Sequence, residues 1–364
     1  MIHVILGTKA QLIKMAPIMR LLQDRGVEYR FIATGQHRET MQDLLDNFGI
    51  RRPDVVLYDG PDVTSIPRMA LWSLRILAST AWRRAAIFGP RPAGMVLVHG
   101  DTFSTLLGAL MGRMAGLRVG HVESGLRSFR LLHPFPEELT RLAVFRLAQV
   151  HYCAGAWALA NLRGVRGEKI DTGGNTLADS VRLAAAAPME LAEQSFAQRG
   201  GSDGYCVASI HRFENIRNRA ALERIVALLE RIAASRSMVF VLHPPTLRKL
   251  RRHRLLQRLE LNPRIELRPR SDFFRFIRLV GGADFVVSDG GSNQEECYYL
   301  GKPVLLLRMA TERREGLGEN CVLSRYDPQV VDRFVEQWQS HRRPLDLGQD
   351  SPSRIIVEHC LAAA

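Results

Sequence analysis

Three carboxylates occupy positions in the sequence that suit acid–base chemistry. Asp101 and Glu123 each follow a short apolar run, and Glu137 comes directly after the sequence Pro-Phe-Pro. Acids that share one cleft can divide the roles of acid and base when their environments separate their pKa values. Taken singly, each residue is also typical of a helix cap or an ion pair. The interpretation therefore depends on the fold bringing them together.

A second segment is suited to a phosphate. In Ser288-Asp289-Gly290-Gly291-Ser292 a strand meets a turn of small residues, and a predicted helix follows. Helix N-termini attract phosphate, and glycine allows the backbone to approach a ligand closely. The alternative is an ordinary turn in which Asp289 and Ser292 only cap the helix. The segment is neither a Walker loop nor a GxGxxG fingerprint, so ATP and NAD lack their usual signatures.

Four further positions fit the parts of a nucleoside diphosphate. Glu296 could accept hydrogen bonds from ribose hydroxyls, and Phe276 could stack on a nucleobase. His211 and Arg212, which follow an apolar run, could hold the diphosphate and stabilise a leaving group. A first-turn glutamate, a core phenylalanine and a surface loop are the corresponding simpler interpretations.

Short apolar runs that alternate with helical patterns must position these residues. Strands are predicted at residues 2–7, 29–34, 95–99, 119–123, 150–154, 205–210, 238–243, 265–268, 284–288 and 303–307. The β-α-β-α order implies parallel sheets with helices on both faces, and ligands bind such sheets beyond the carboxyl ends of the strands. A glycine-rich crossing at 165–176 divides the pattern. The sequence therefore predicts two Rossmann-like doubly wound α/β domains that face each other across a cleft.

Composition excludes several other classes of protein. The chain has 364 residues, 46% of them hydrophobic and 24% charged, which is typical of a globular protein. The net charge of +13 would suit a protein that binds nucleic acid. Almost all of the basic residues are arginine, however, so a compositional bias explains the charge better. Five cysteines form no CxxC pair, and no metal site is expected. Arginines interrupt the longest apolar stretch, 69–88, so no membrane span is expected. The first residues resemble a strand rather than a signal peptide, so a cytoplasmic location is expected.

The chain resembles the non-hydrolysing UDP-N-acetylglucosamine 2-epimerases, which have the two-domain fold called GT-B. Short motifs match in order at residues 7–8, 13–17, 34–38, 98–102, 120–127, 136–141, 174–179, 211–215, 294–296, 300–304 and 311–313. The resemblance implies domains at 1–168 plus 346–364 and at 169–345. It also implies a C-terminal helix that returns to the first domain, and a homodimer formed through that domain.

The resemblance implies a reaction as well. Such enzymes invert C2 of UDP-N-acetylglucosamine, giving UDP-N-acetylmannosamine, by anti elimination of UDP and its re-addition to a 2-acetamidoglucal. Asp101, Glu123 and Glu137 would do the acid–base work, and His211 would assist the leaving diphosphate. No cofactor, metal or nucleic acid is needed.

The resemblance also assigns residues that bind ligands. Residues expected to bind substrate or UDP are Lys9, Lys14, Arg141, Arg212, His243, Phe276, Gly290, Gly291, Ser292, Glu296 and Arg313. A second ligand site would use Gln36, His37 and Arg68.

Three departures from the family pattern leave the sugar open. Lys9-Ala10-Gln11 stands where Arg-Pro-Glu is usual, the hydroxyl of the phosphate turn has moved to Ser292, and Arg314 replaces a proline. The same chemistry on a modified UDP-sugar, such as a 2,3-diacetamido uronic acid, is one alternative. A hydrolysing 2-epimerase and a GT-B glycosyltransferase are the others.

Overall fold

The protein folds into two units, each built on its own parallel sheet. The structure, a computed structural model, describes residues 1–36, 41–60, 66–131, 136–187, 204–311, 313–345 and 350–363. Contacts divide the chain into unit 1, Met1–Ser180 with Gly348–Ala364, and unit 2, Val181–Leu347. The resemblance implies a first boundary between residues 168 and 169. The structure places it later because the strand Glu168–Asp171 pairs with Val150–Cys153 in the sheet of unit 1.

The described residues of unit 1 contain a seven-stranded sheet with the order β3-β2-β1-β4-β5-β6-β7. Its strands are β1 Ile2–Leu6, β2 Tyr29–Ala33, β3 Val55–Val56, β4 Met95–His99, β5 Arg118–Ser124, β6 Val150–Cys153 and β7 Glu168–Asp171. Its helices are α1 Lys9–Asp24, α2 Gln42–Phe48, α3 Ile66–Trp82, α4 Arg84–Phe88, α5 Phe103–Met114, α6 Glu137–Leu147, α7 Ala156–Asn161 and α8 Leu177–Ala186, the last of which continues into unit 2.

The described residues of unit 2 contain a six-stranded sheet with the order β10-β9-β8-β11-β12-β13. Its strands are β8 Tyr205–Ile210, β9 Ser237–Leu242, β10 Ile265–Pro269, β11 Val286–Ser288, β12 Val304–Leu306 and β13 Cys321–Leu323. Its helices are α9 Phe213–Ile216, α10 Arg219–Ala233, α11 Pro244–Arg252, α12 Leu256–Glu260, α13 Phe273–Gly282, α14 Gly291–Tyr299 and α15 Pro328–Gln337, which a 3-10 turn, Trp338–His341, extends.

The strand order explains where the polar residues must lie. Every strand pair in both sheets is parallel, so the carboxyl ends of all strands in a sheet lie along one edge. Central strands such as Ile2–Leu6 and Tyr205–Ile210 are buried along their whole length, as expected when helices cover both faces. The order reverses between β1 and β4 and between β8 and β11, which are the positions where such sheets bind ligands. The predicted class of each domain, a Rossmann-like doubly wound α/β fold, is confirmed.

The C-terminal helix α16, Pro352–Ala362, belongs to unit 1 and packs beside α1. The backbone N–H of Ser353 donates to Asp179 Oδ2 at 2.9 Å. The Tyr152 hydroxyl lies 2.9 Å from His359 Nδ1 and 3.2 Å from Cys360 Sγ. Unit 1 is therefore completed by residues that lie after unit 2 in the chain. Within the described ranges, no helix has both the length and the apolar character needed to cross a bilayer.

Candidate active site

The turn between β1 and α1 builds one side of the polar edge of unit 1. Thr8 and Gln11 form a capping box, in which each side chain accepts from the backbone of the other residue. The Gln11 amide also donates to the His99 carbonyl at 2.8 Å and to Thr105 Oγ1 at 3.0 Å. Gln11 therefore caps α1 and ties the end of β1 to the end of β4.

Glu123 lies at the end of β5 in an unusual backbone conformation. Its φ of 64° is in the left-handed region, and the β5–β6 register shifts between Val122 and Ser124. Both Lys14 Nζ and Asn175 Nδ2 donate to Oε1 of Glu123, whereas Oε2 lies 3.7 Å from His99 Nε2. A non-glycine residue is strained in this conformation, and such strain occurs most often at functional sites.

Asp101 belongs to a chain of ion pairs that begins on helix α6. Arg141 pairs with Asp101 through one nitrogen and with Glu138 through another. Glu138 is fully buried and also accepts from Arg127 Nε and the Ser128 backbone. Burial alone would lower the pKa of Arg141, but the two carboxylates outweigh it and raise the pKa above its usual value. Arg141 therefore orients Asp101.

Glu137 is the first residue of α6, where the helix dipole favours a carboxylate. Its Oε2 atom is buried and has no hydrogen-bond partner among the described residues. A buried polar atom without a protein partner is uncommon and is typical of a group that meets a ligand or water.

The remaining predicted residues of unit 1 are dispersed. Lys9 is half-buried at the first position of α1, and Arg68 is exposed on α3. Gln36 Oε1 accepts from Ser104 Oγ at 2.6 Å. His37 lies outside the described residues. Lys14, which is expected to bind substrate, forms an ion pair with Glu123.

Asp289 organises the polar edge of unit 2. Its buried carboxylate follows β11 and accepts from the backbone N–H of His211 and of Arg212, each at 3.0 Å. The Asn215 amide donates to the same carboxylate at 2.9 Å. These bonds join the ends of β8 and β11 at the point where the strand order reverses. Asp289 therefore holds the His211 turn rather than serving only as a helix cap.

His211 and His243 form a stacked pair at this edge. Their ring centroids are 4.5 Å apart, His211 Nδ1 lies 3.4 Å from Asp289 Oδ1, and His243 Nε2 lies 3.2 Å from Ser209 Oγ. Burial lowers the pKa of His211, an effect that Asp289 opposes and Arg212 and Arg270 reinforce. Burial also lowers the pKa of His243 to about 3, and His211 and Arg270 add to this effect.

Helix α14 begins directly beside the pair. Gly290 is its N-cap, and a Cβ atom there would lie 2.8 Å from both His211 Cε1 and Asn293 Oδ1. Gly291 and Ser292 form the first turn, and the Ser292 side chain is exposed. Asn293 donates to Glu296 Oε2 at 2.8 Å, which orients that buried carboxylate. The arrangement can hold an anion at the helix N-terminus.

Two other predicted residues of unit 2 lie on adjacent elements. Phe276 is half-buried on α13 and is not part of the main core cluster. Arg313 pairs with the fully buried Glu295 at 2.7 Å, and its backbone carbonyl accepts from Gln294. The loop that contains Arg313 is therefore attached to α14.

Sequence reasoning missed three residues that matter to the site. Asn175, Glu138 and Glu295 each contact a predicted residue, but their types alone suggested nothing beyond ordinary polar positions. Each lies inside or next to one of the matching motifs, which is the signal that could have identified it. Across the residues that the structure covers, no group of histidines, cysteines and acids is arranged to hold a metal ion.

Comparison of the sequence with known proteins gives consistent matches over nearly the whole chain. The model of a family described as UDP-N-acetylglucosamine 2-epimerase matches residues 19–351. A UDP-N-acetylglucosamine 2-epimerase of Methanococcus maripaludis is 29% identical over 98% of this chain and 97% of its own. A probable UDP-N-acetylglucosamine 2-epimerase of Ralstonia nicotianae is 32% identical, with 88% of this chain and 85% of the relative covered.

Solved structures agree with the sequence matches. The UDP-GlcNAc 2-epimerase of Neisseria meningitidis bound to UDP-GlcNAc superimposes with a TM-score of 0.83 and 26% identity, covering 99% of each chain. The MnaA protein of S. aureus, solved with UDP, gives a TM-score of 0.80 and 26% identity, covering 100% of this chain and 97% of the other.

Proposed function

Because this chain belongs to the UDP-N-acetylglucosamine 2-epimerase family, we propose that it converts UDP-N-acetylglucosamine to UDP-N-acetylmannosamine by eliminating and re-adding UDP. The observation that carries the proposal is that Asp101, Glu123 and Glu137, which are distant in sequence, belong to elements at one edge of the unit 1 sheet. Their partners hold two of them in fixed orientations.

The chemistry requires an acid–base pair together with an anion site. The C2 proton is not next to a carbonyl, so a base alone cannot remove it. When the C1–O bond breaks, its electron pair leaves with UDP, C1 becomes cationic, and the C2–H bond becomes acidic. A carboxylate then takes the proton and a C1–C2 double bond forms. Return of the proton to the other face of C2, with attack of UDP on C1, gives the epimer.

The groups of unit 1 fit the proton transfers. Glu137 has a buried oxygen with no partner among the described residues, so it can exchange a proton without first breaking a protein contact. Lys14 and Asn175 both donate to one oxygen of Glu123, and Arg141 donates to Asp101. Positioned acids and bases of this kind contribute about 100-fold or more to a rate.

The groups of unit 2 fit the diphosphate and nucleoside. The Arg212 guanidinium offers positive charge, the His211 ring lies beside the start of α14, and the first turn of α14 offers backbone N–H donors; together they would stabilise UDP as it leaves. Glu296 would bind the ribose hydroxyls and Phe276 the uracil. His243 and Arg313 adjoin the same elements, as Lys9 does in unit 1.

The decisive experiment follows the C2 hydrogen. The purified protein is incubated with UDP-N-acetylglucosamine in deuterated water, and NMR monitors C2. The proposal predicts UDP-N-acetylmannosamine with deuterium at C2, together with deuterium in recovered substrate. Free sugar and UDP would identify a hydrolysing enzyme instead. Transfer of the sugar to an added acceptor, without epimerisation, would identify a glycosyltransferase.

We also propose that the protein forms a homodimer through α3. Leu71, Leu74 and Trp82 of this helix are 52%, 66% and 84% exposed, and their spacing places them on one side of it. Large apolar side chains exposed on one side of a helix are typical of a protein interface. A second copy of this chain would cover this face of α3.

A further inference from the structure

A small cavity lies next to Glu123 inside unit 1. It is lined by the ends of β5 and β6, by residues of the loop that follows β7, and by Ile356 of α16. The volume open to the centre of a water molecule is about 10 Å³. A buried water needs about this much space together with two to four polar partners. The cavity is therefore large enough for one water molecule and too small for any substrate.

Thr176, which lines this cavity, is a second and independent sign of an occupant. Its side chain is only 3% exposed, and its Oγ1 has no hydrogen-bond partner among the described residues. Thr176 stands directly before α8, where a threonine hydroxyl usually accepts from the backbone N–H two or three residues later. Here those N–H groups, of Ala178 and Asp179, donate to backbone carbonyls instead. Buried hydroxyls are nearly always satisfied, either by protein or by ordered water.

The other polar groups of the cavity are arranged to complete a water site. Glu123 lines the cavity, and its carboxylate accepts hydrogen bonds. Thr172 also lines it, and its hydroxyl proton already goes to the Cys153 or Gly174 carbonyl, so its oxygen can only accept from a further partner. A water molecule that accepts from Thr176 and donates to Glu123 and Thr172 would satisfy all three groups.

We propose that this cavity binds one water molecule that links the Thr176 hydroxyl to the Glu123 carboxylate, and that Thr176 is thereby a positioning residue for the reaction. The reaction itself rests on the proposed function of Glu123. Thr176 does not need to reach the substrate. It acts by adding a donor to the carboxylate on the side that faces the protein interior.

Among the residues that the structure describes, three titratable groups lie near the Glu123 side chain. Lys14 reaches it from α1, His99 faces it from β4, and His121 lies on β5 itself. Tyr152 lines the cavity from β6, and α16 contributes only the apolar Ile356. Neither Thr176→Val nor Thr176→Ser alters these groups, so a difference between the two variants reports the Thr176 hydroxyl.

The first test measures the carboxylate without using activity. Glutamate labelled with ¹³C at the carboxyl carbon is titrated by NMR, and the Glu123→Gln variant assigns the Glu123 signal. Thr176→Val keeps the shape of the side chain but removes its hydroxyl, whereas Thr176→Ser keeps the hydroxyl. A donor to the charged form lowers a carboxyl pKa, so Thr176→Val should raise the titration midpoint by about 0.5 to 1 unit, while Thr176→Ser stays close to wild type.

The second test separates positioning from binding. Thr176→Val should lower kcat by about 2- to 10-fold, which is the value of one hydrogen bond, with little change in KM. Identical Glu123 midpoints in wild type and both variants would overturn the proposal, even if the enzyme epimerises its substrate normally. If Thr176→Val does not fold, a high-resolution crystal structure of the wild type decides: density for one water bonded to Thr176 supports the proposal, and an empty or differently bonded cavity overturns it.

Discussion

At the scale of single residues, several cations that the sequence pattern assigns to substrate contact carboxylates of the protein. Lys14 binds Glu123, and Arg141 binds both Asp101 and Glu138. Each pair fixes the orientation of one carboxylate, and the positive charge offsets the repulsion from a second carboxylate nearby. An arginine or lysine at such a position has the same net charge as one that binds phosphate, so sequence alone does not distinguish the two roles.

Replacement of the three carboxylates should remove most activity without unfolding the protein. Asp101→Asn, Glu123→Gln and Glu137→Gln should each lower kcat about 100-fold or more, because an amide cannot transfer the proton. Circular dichroism and thermal unfolding would check the fold. The exposed Glu260 provides a control, and Glu260→Gln should be fully active. Near-normal turnover in all three variants would contradict the assignment.

Two buried histidines should make the stability of the protein fall in mild acid. Burial lowers the pKa of His3 to about 4 and that of His121 to about 3, from an ordinary 6.5, so both are neutral when folded. Above pH 6.5 neither state binds the extra proton. Below it the unfolded chain does, and each histidine lowers the free energy of unfolding by up to about 1.4 kcal/mol per pH unit until its folded pKa is reached.

Urea unfolding between pH 7.5 and 5 would measure this effect. The His121→Gln variant should lose stability overall, because the Gly100 carbonyl loses its ring N–H donor. The slope of its free energy of unfolding against pH, however, should be smaller by the contribution of one proton. Equal slopes in the variant and the wild type would show that His121 titrates normally when folded.

At the scale of elements, both proposed groups of site residues depend on turns in which a buried side chain fixes the backbone. Gln11 bonds the end of β1 to β4, and Asp289 bonds the end of β11 to the turn after β8. The helix N-terminus of α14 and the His211 turn are thus held in one arrangement before any ligand arrives. Such preorganisation reduces the ordering cost of binding.

UDP should therefore stabilise the folded protein through this turn. At a concentration of UDP far above its Kd, the melting temperature should rise by roughly 5 °C, because the ligand binds only the folded state. In Gly290→Val the new side chain would collide with His211 and Asn293, and the increase should be much smaller. Gly281 lies in α13 with open space around it, so Gly281→Ala should respond to UDP like the wild type. No stabilisation of the wild type by millimolar UDP would contradict the nucleotide assignment.

The elements also show what the sequence could predict and what it could not. The ten predicted strands are present within two residues of their expected bounds. Most contain an apolar run buried in a parallel sheet, such as Met95–His99, and such runs are distinctive. The short strands β3 and β7 and the strand β13 were missed. Val55–Val56 is two residues long, and Glu168–Asp171 is largely polar and partly exposed at the sheet edge. Neither the length nor the pattern of such segments identifies a strand.

For the candidate site, single residues were predictable but their partners were not. A polar residue directly after an apolar run is predicted to lie at the ligand-binding edge of a sheet, and this position identifies Asp101, Glu123 and His211. The Glu138–Arg127 pair joins residues 11 positions apart, and the Asn175–Glu123 bond joins residues 52 apart. These contacts depend on loops whose conformations no periodicity encodes. The left-handed backbone at Glu123 is equally invisible in a sequence, since the residue there is not glycine.

At the scale of the whole molecule, the exposed face of α3 predicts how copies of the chain associate. Leu74→Glu places a charge in the middle of that face and should convert a dimer to a monomer in light scattering coupled to size exclusion. Leu261, which is 74% exposed in unit 2, provides a control of the same type, and Leu261→Glu should leave the mass unchanged. A wild type that elutes as a monomer at all concentrations would contradict the homodimer proposal.

The return of the C-terminal helix to unit 1 has a consequence for how the chain is made. On the ribosome, residues of unit 2 emerge and can fold while unit 1 still lacks α16, since chains grow at about 5–20 residues per second. During that interval the face of α1 that α16 covers stays uncovered, and Tyr152 lacks its partners His359 and Cys360. The nascent first unit is thus open to chaperones and proteases for roughly 10 to 30 seconds, the time that synthesis of unit 2 takes at this rate, and α16 closes it once it has emerged.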